Sequence, residues 1–473
     1  MKTSVIVVIC VVVSVMLLSG GSVTRADAPA AVPPAAPKLK VNETSLGKMD
    51  GKDKMSVVSP DARHVAVIVT RDKKYIVALD GVEGKPYDDV KTPFFSPDSK
   101  HLAYVARRER AQYVVLDGIE GKPFELLESI LFSPDSQHLA YTASTRFKWN
   151  LVMDGVEAKE PTGRIYDLTF SPDSKRLAYG ADAPNGKKRV VVDAEKGKEF
   201  DSIKPKSLVF SPDSKRVAYV AWSGENELAV IDGAEQKGYK NEFPSRVVRD
   251  IMFSPDSKRV AYIVESEKTQ MAVIDGNEGK KYTMVAAITF SPDSLRVAYV
   301  AGVRGDKWEQ YAVLNGVEGK AYLHVEPRLF FSPDSNHFFY YSSTGDDIFM
   351  VTNGVEGKMK CRPDSDYRVV MSPDAKHVTF ITRVEGRPKR VVLDDVVGKQ
   401  YKSIMTEPIF SPDSKHVAYI VDDLGKYRVV VGAKESEPYD EQFGNLLFDA
   451  PGKLHTVMFR NGEFFLLEIE ITE

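Results

Sequence analysis

The chain has 473 residues, more than one hydrophobic core serves, since single cores stop growing at around 250–300 residues. Its 43% hydrophobic and 28% charged content is ordinary for a soluble protein. A formal net charge of −3 excludes an electrostatic case for nucleic acid or an anionic membrane surface as partner.

In chain order the first element is an export signal. Met1-Lys2-Thr3 precedes an apolar run from Ser4 to Leu18 and then small residues through Ala28. A short positive start, a brief apolar stretch and a small-residue exit form the signal-peptide pattern, and the run is short for a spanning helix. The expectation is a signal over 1–26, cleaved after Ala26, and a periplasmic or secreted protein with no membrane attachment beyond export. Cys10 would leave with the signal, so Cys361 would stand alone and no intramolecular disulfide could form. Residues 27–46, which open on the Pro- and Ala-rich "DAPAAVPPAAPK", read as a stiff tether.

The remainder, 47–473, is a repeat. Ser-Pro-Asp recurs at Ser59, Ser96, Ser133, Ser171, Ser211, Ser254, Ser291, Ser332, Ser372 and Ser411, at spacings of 37 to 43 residues, and a degenerate copy begins at Phe448. One unit, from Ile130, reads "ILFSPDSQHLAYTASTRFKWNLVMDGVEAKEPTGRIYDL" and divides into four short β-prone pieces. Strand a is the apolar stub before Ser-Pro-Asp, strand b is "HLAYTA", strand c is "NLVMDG" and strand d follows the "EGK" or "EAK" signal. Ser-Pro-Asp-Ser suits a type I turn between a and b, with the first Ser accepting a backbone bond and Pro fixing φ. Asp-Gly or Asn-Gly between c and d, as at Asp80, Asp117, Asp154 and Asn315, suits a turn that needs positive φ. Strand b is apolar on both faces, as in "RVAYVA", so both faces of each sheet must be covered.

Four antiparallel strands per roughly 40 residues, covered on both sides by neighbouring copies, describe the blade of a β-propeller. The phrase "FSPDS-K-R/H-V-A-Y" resembles the repeat of WD-repeat-like propellers of the TolB type, whose wording usually has Gly where this chain has Ser99, Ser136, Ser174 and Ser214. The resemblance implies an all-β fold of about eleven four-stranded blades and says little of function, because such repeats serve many exported proteins. No segment matches the extra N-terminal domain that TolB carries, which puts its envelope partnership in doubt here. Residues 47–61 align without gaps to 84–98, which makes them a d strand that a later blade lacks, and pairing the two would remove a free sheet edge. Eleven blades exceed the usual four to eight. The expectation is therefore two rings rather than one large ring, split near 233–250 at the longest spacing.

No nucleophile elbow, zinc-binding or phosphate-cradling motif occurs, and the expectation is a non-enzyme with no cofactor and no metal. His64, His101, His138, His337, His377 and His416 share one repeat position with Arg176, Arg216, Arg259 and Arg296, and His455 fits it too. A position open to either residue is a solvated strand start or a carboxylate partner, and not a metal ligand. Asp98, Asp135, Asp173, Asp213 and Asp256 read as turn acceptors rather than calcium ligands. The repeated Lys and Glu of "EGK" read as a salt-bridged rim.

Meander order puts the a–b and c–d turns on one face and the b–c loops with the d–a connections on the other. The b–c loops alone differ from copy to copy, and Arg107, Arg108, Arg110, Arg146, Trp149, Trp222, Arg304 and Trp308 fall in or beside them, with Arg383 and Arg387. Trp and Arg are the residues most enriched at binding hot spots. This face is the expected site for a protein partner in the envelope or outside the cell. The alternatives are a glycan ligand stacked on the three Trp residues, or a propeller-type lyase or glycan hydrolase acting at the channel.

Overall fold

The computed structural model describes residues 38–48, 55–146, 148–158, 163–240, 247–266, 269–345, 347–358, 369–374, 376–383, 388–394 and 396–472. The signal over 1–26, Cys10, Cys361, Arg387 and residues 241–246 within the expected ring boundary lie outside them. Among the described residues there is no helix, and the strands form eleven antiparallel sheets arranged in a ring, a β-propeller.

Blade 2 shows the plan. Its a strand is in two pieces, Asp89–Val90 and Phe94–Phe95, both paired to the b strand Leu102–Arg108. The c strand Ala111–Leu116 and the d strand Ile119–Glu120 follow. Neighbouring a strands approach one another, as Leu126–Phe132 of blade 3 does Ile165–Phe170 of blade 4, while the d strands are the exposed ones, so a lies towards the axis and d at the rim.

The turns form for the reasons expected. In blade 2 the Ser96 hydroxyl donates to Asp98 Oδ1 at 2.6 Å and accepts from the His101 N–H at 3.0 Å, and Ser99 N–H closes the turn on the Ser96 carbonyl. The Ser96 hydroxyl and then the Lys100 N–H hold the Asp98 carboxyl down to about 2. At the c–d turn Asp117 and Gly118 both have positive φ, 50° and 78°. Asp117 Oδ1 then accepts the Leu102 N–H at 2.9 Å, tying the turn to the start of strand b.

Blades are joined by packing on both faces of b and c. Ala66, Ile68 and Val77 of blade 1 meet Leu102, Tyr104 and Ala106 of blade 2, while Ala103 and Val105 face Leu139 and Tyr141 of blade 3. A fully buried Tyr, Val or Leu of this kind contributes about 1.5–3 kcal/mol. The Lys–Glu ladder along the rim, with Lys237–Glu278 and Lys280–Glu318 each at 2.8 Å, joins half-exposed groups that add less than about 1 kcal/mol a pair. Packing therefore holds the ring and the ladder trims its outer wall.

Two expectations need correction. The first is the pair of rings. Blade 5 does not turn back to blade 1: Ala218, Val220 and Ala229 pack on Val248, Phe253 and Tyr262 of blade 6. Glu227 of blade 5, 1% exposed, also accepts the Lys204 ammonium at 2.6 Å and the Val248 N–H at 3.1 Å. Blade 11 instead meets blade 1, through Val457, Phe459 and Phe464 against Val65, Val67 and Ile76. The faces that two rings would need free are already covered, so the chain closes once.

The second is the closing strand. Closure does come from the N-terminal side, but over Lys38–Lys48, which pairs with Glu463–Thr472 from Lys38↔Thr472 to Lys48↔Glu463. The tether assigned to 27–46 thus runs into blade 11, and 47–61 is not the d strand. Gly47-Lys48 imitates the Gly-Lys of the repeat, yet Glu43 holds the Glu position, because the Tyr439 hydroxyl donates to it as that of Tyr87 does to Glu120. Leu46 is then buried beside Val65 as Phe124 is beside Tyr141.

Candidate functional site

The b–c loops are set by the connections entering each blade. Asp88, between blades 1 and 2, accepts the Glu109 N–H at 2.6 Å, and Glu125 accepts the Arg146 N–H at 2.8 Å. Asp201, Thr283 and Asp440 do the same for Gly224, Arg304 and Asn461. Lys74 and then the Glu109 N–H lower the Asp88 pKa, and the Gly224 N–H chiefly lowers that of Asp201. The d–a connections and b–c turns therefore share one face, and the rigid blades fix loops of unlike sequence.

Arg110 and Arg146 are exposed on the turns of adjacent blades. At Arg110 lies a groove of about 460 Å3 lined by Arg108, Glu109, Tyr113, Phe124 and Glu125, and reaching Thr145, the neighbour of Arg146 on the blade 3 turn. Arg107 is more tied down: its Nη1 donates to the Glu109 carbonyl at 3.3 Å, and its Nε lies 3.7 Å from Asp89. Arg108 turns from the loops to the side wall, donating to Glu120 at 2.9 Å with its guanidinium over the rings of Tyr87 and Tyr113. The Glu120 carboxylate raises its pKa.

The tryptophans do not converge. Trp149, Trp222 and Trp308 are half-buried in blades 3, 5 and 7, with a whole blade between each and the next. The Arg164 guanidinium covers Trp149 at 5.9 Å. The Trp308 ring lies on Gly302, where an added Cβ would come within 2.8 Å of Cζ2, so the glycine is there to admit the indole. Arg304 is exposed across the turn, paired in register with Trp308. The structure puts Arg108 and Arg110 on one groove at blade 2, with Arg146 on the neighbouring turn of blade 3, and leaves Trp222, Arg304 and Trp308 on other blades.

No family model matches the chain, and no curated protein matches it. Among solved structures it is similar to a eukaryotic initiation factor, at 13% identity and a TM-score of 0.40 over 73% of this chain and 96% of the other. It is also similar to TolB from Acinetobacter baumannii, at 15% and 0.26 over 65% and 80% of the two chains. The Dos1 propeller matches at 12% and 0.30 over 65% and 93%. These likenesses say nothing of function, and the fold stands on the eleven sheets themselves.

The opposite face carries features that sequence reasoning passed over. Where the c–d turn begins with Asp, the His or Arg after the a–b turn is its carboxylate partner: His64 and His101 place Nδ1 at 2.7 Å from Asp80 and Asp117, and Arg216 places Nε at 2.8 Å from Asp232, whereas His337 meets Asn353. His455 is an exception, buried and bonded to Asp449 and to the Asp61 carbonyl of blade 1. Between blades 2 and 3 this face opens into a cleft of about 440 Å3. The alternation of His and Arg at one repeat position was the signal for it.

Proposed function

We propose that the chain is an exported β-propeller, built on a TolB-type repeat, that binds a protein partner in the cell envelope or outside the cell without catalysing a reaction. The observation that carries this reading is the contrast between two faces of one ring. Turn residues repeat from blade to blade and are consumed in hydrogen bonds, whereas the b–c loops vary and leave Arg110 and Arg146 exposed beside a groove that also presents Glu109, Tyr113 and Glu125. A mixed-charge groove with an aromatic floor suits a polypeptide, whose charged side chains and backbone it can meet at once. The apolar run after Met1-Lys2 supports export.

The test is a pull-down from a periplasmic or envelope extract with the mature chain beside an Arg110→Ala/Arg146→Ala variant. A partner kept by the first and lost by the second is expected. Equal retention by both would remove the groove from the interface, and glycan retention in place of protein would move the reading to carbohydrate binding.

A further inference from the structure

The cleft on the turn face has an internal key to its ligand. In blades 4, 5 and 6 the residue after the a–b turn is arginine, and each guanidinium is bound in the same frame. Arg176 donates from Nε to Asp193 at 2.7 Å and from Nη1 to the carbonyls of Ser214 and Lys215 in the next blade, at 2.9 and 2.8 Å. Arg216 repeats this on Asp232, Ser257 and Lys258, at 2.8, 3.0 and 2.9 Å, and Arg259 on Asp275, Ser294 and Leu295, at 2.9, 3.3 and 3.3 Å. Each guanidinium also lies over a phenylalanine of the next blade, Phe210, Phe253 or Phe290, 5.1 to 5.5 Å from the ring centre. One carboxylate, two adjacent carbonyls and one aromatic face thus make a guanidinium socket, used three times.

Histidine takes the arginine's place at His64, His101, His138 and His377, and at His101, between blades 2 and 3, the frame borders the cleft. Asp117, Phe132, Ser136 and Gln137 hold the repeat positions of the frame, and all four residues line the cleft. His101 takes over the carboxylate bond, at 2.7 Å, and stacks on Phe132 at 6.4 Å, but its ring makes no bond to the Ser136 or Gln137 carbonyl among the described residues. An imidazole is shorter than a guanidinium side chain, and the space it does not fill remains open. At the mouth Ile119 is 74% exposed, an apolar rest for the chain that would deliver a side chain into the cleft.

We propose that this cleft receives an arginine side chain of a partner polypeptide. Its guanidinium donates to the Ser136 and Gln137 carbonyls beside the His101 ring that lies on Phe132, with the Asp117 carboxylate supplying the opposite charge. A planar, always-charged fork suits paired carbonyls and an aromatic face, which a spherical ammonium does not. The site is independent of the b–c face.

Saturation-transfer NMR on the full folded chain tests it, with N-acetyl-arginine methylamide as probe and its citrulline and lysine counterparts as controls. The arginine probe is expected to bind and the neutral citrulline isostere to bind at least about tenfold more weakly. His101→Arg fills the socket from within, as in blades 4 to 6, and should abolish binding while the chain stays folded by thermal unfolding. Asp117→Asn keeps the backbone acceptor, as Asn315 does natively at 2.9 Å from Val297 N, and should weaken binding through charge alone. Equal binding of the three probes, no transfer to the arginine probe, or binding undiminished in His101→Arg would overturn the proposal.

Discussion

At the scale of single residues, the serine that closes each a–b turn sits where glycine is the easier choice. Ser99, Ser136, Ser174 and Ser214 have φ of 63° to 65°, a left-handed conformation costing a residue with a Cβ roughly 1–2 kcal/mol. The hydroxyl offsets that cost across the blade junction, where Ser136 Oγ accepts the Asp98 N–H at 3.0 Å and Ser214 Oγ the Asp173 N–H at 2.9 Å. Two substitutions separate the terms. Ser214→Ala keeps the strain and orphans the Asp173 N–H, so it should destabilise by about 1–3 kcal/mol, while Ser214→Gly relieves the strain and should be nearly neutral. Thermal or urea unfolding of the pair measures this, and glycine proving no better than alanine would show that the positive φ costs the serine nothing. The serines were plain in the sequence, but their purpose was not. Each partner lies one repeat away, at a separation no local turn rule inspects, and the same holds for Arg108, whose role depends on Glu120 and Tyr87 rather than on its loop.

At the scale of elements, local chemistry was legible and closure only half so. The a–b and c–d turns, the four strands and the doubly buried b strand follow from residues adjacent in sequence. The closing strand is different, since Leu39 and Val41 alternate with polar residues weakly, and only Glu43 and Leu46 mark its frame by whom they meet in blades 10 and 1. Its importance can be measured directly. A chain starting after residue 48 would leave Glu463–Thr472 with an unpaired edge and uncover part of the core shared by blades 11 and 1. We expect a lower midpoint of thermal unfolding and concentration-dependent association by light scattering, both reversed by adding a peptide of residues 38–48. An unaltered, monomeric truncation would mean that the strand is dispensable.

At the scale of the whole molecule, ring number was hidden because every blade carries the same two faces, and sequence does not say which copies meet last. The core between blades 5 and 6, with its buried Glu227–Lys204 pair, decides it. A cut there leaves Lys204 with Glu227 but takes from both their bonds to the Val248 backbone and opens the core the two blades share, so it is costly to both sides. The segments 38–240 and 247–473, expressed apart, should each be insoluble or associated, and should recover a folded species only when refolded together. Two independently folded monomeric halves, seen by sedimentation, would refute the single ring. The candidate site has the same character: the varied loops were visible as a set, but which of them border one groove is a property of the folded ring, which sets Arg110 on a groove reaching Thr145 of the next blade while parting the three tryptophans.

The antiparallel pairing that closes blade 11 also fixes how the molecule is presented. Lys48 pairs with Glu463 beside the turn of the last b–c hairpin, whereas Lys38 pairs with Thr472 at the opposite end of the strands. Both ends of the described chain therefore emerge on the side of the arginine cleft, away from the variable loops. Anything holding the ring by either end, whether a support, a fused domain or a surface, turns the groove of Arg110 and Arg146 outward and shades the cleft of His101. The direction of one strand thereby decides which face a passing partner meets first.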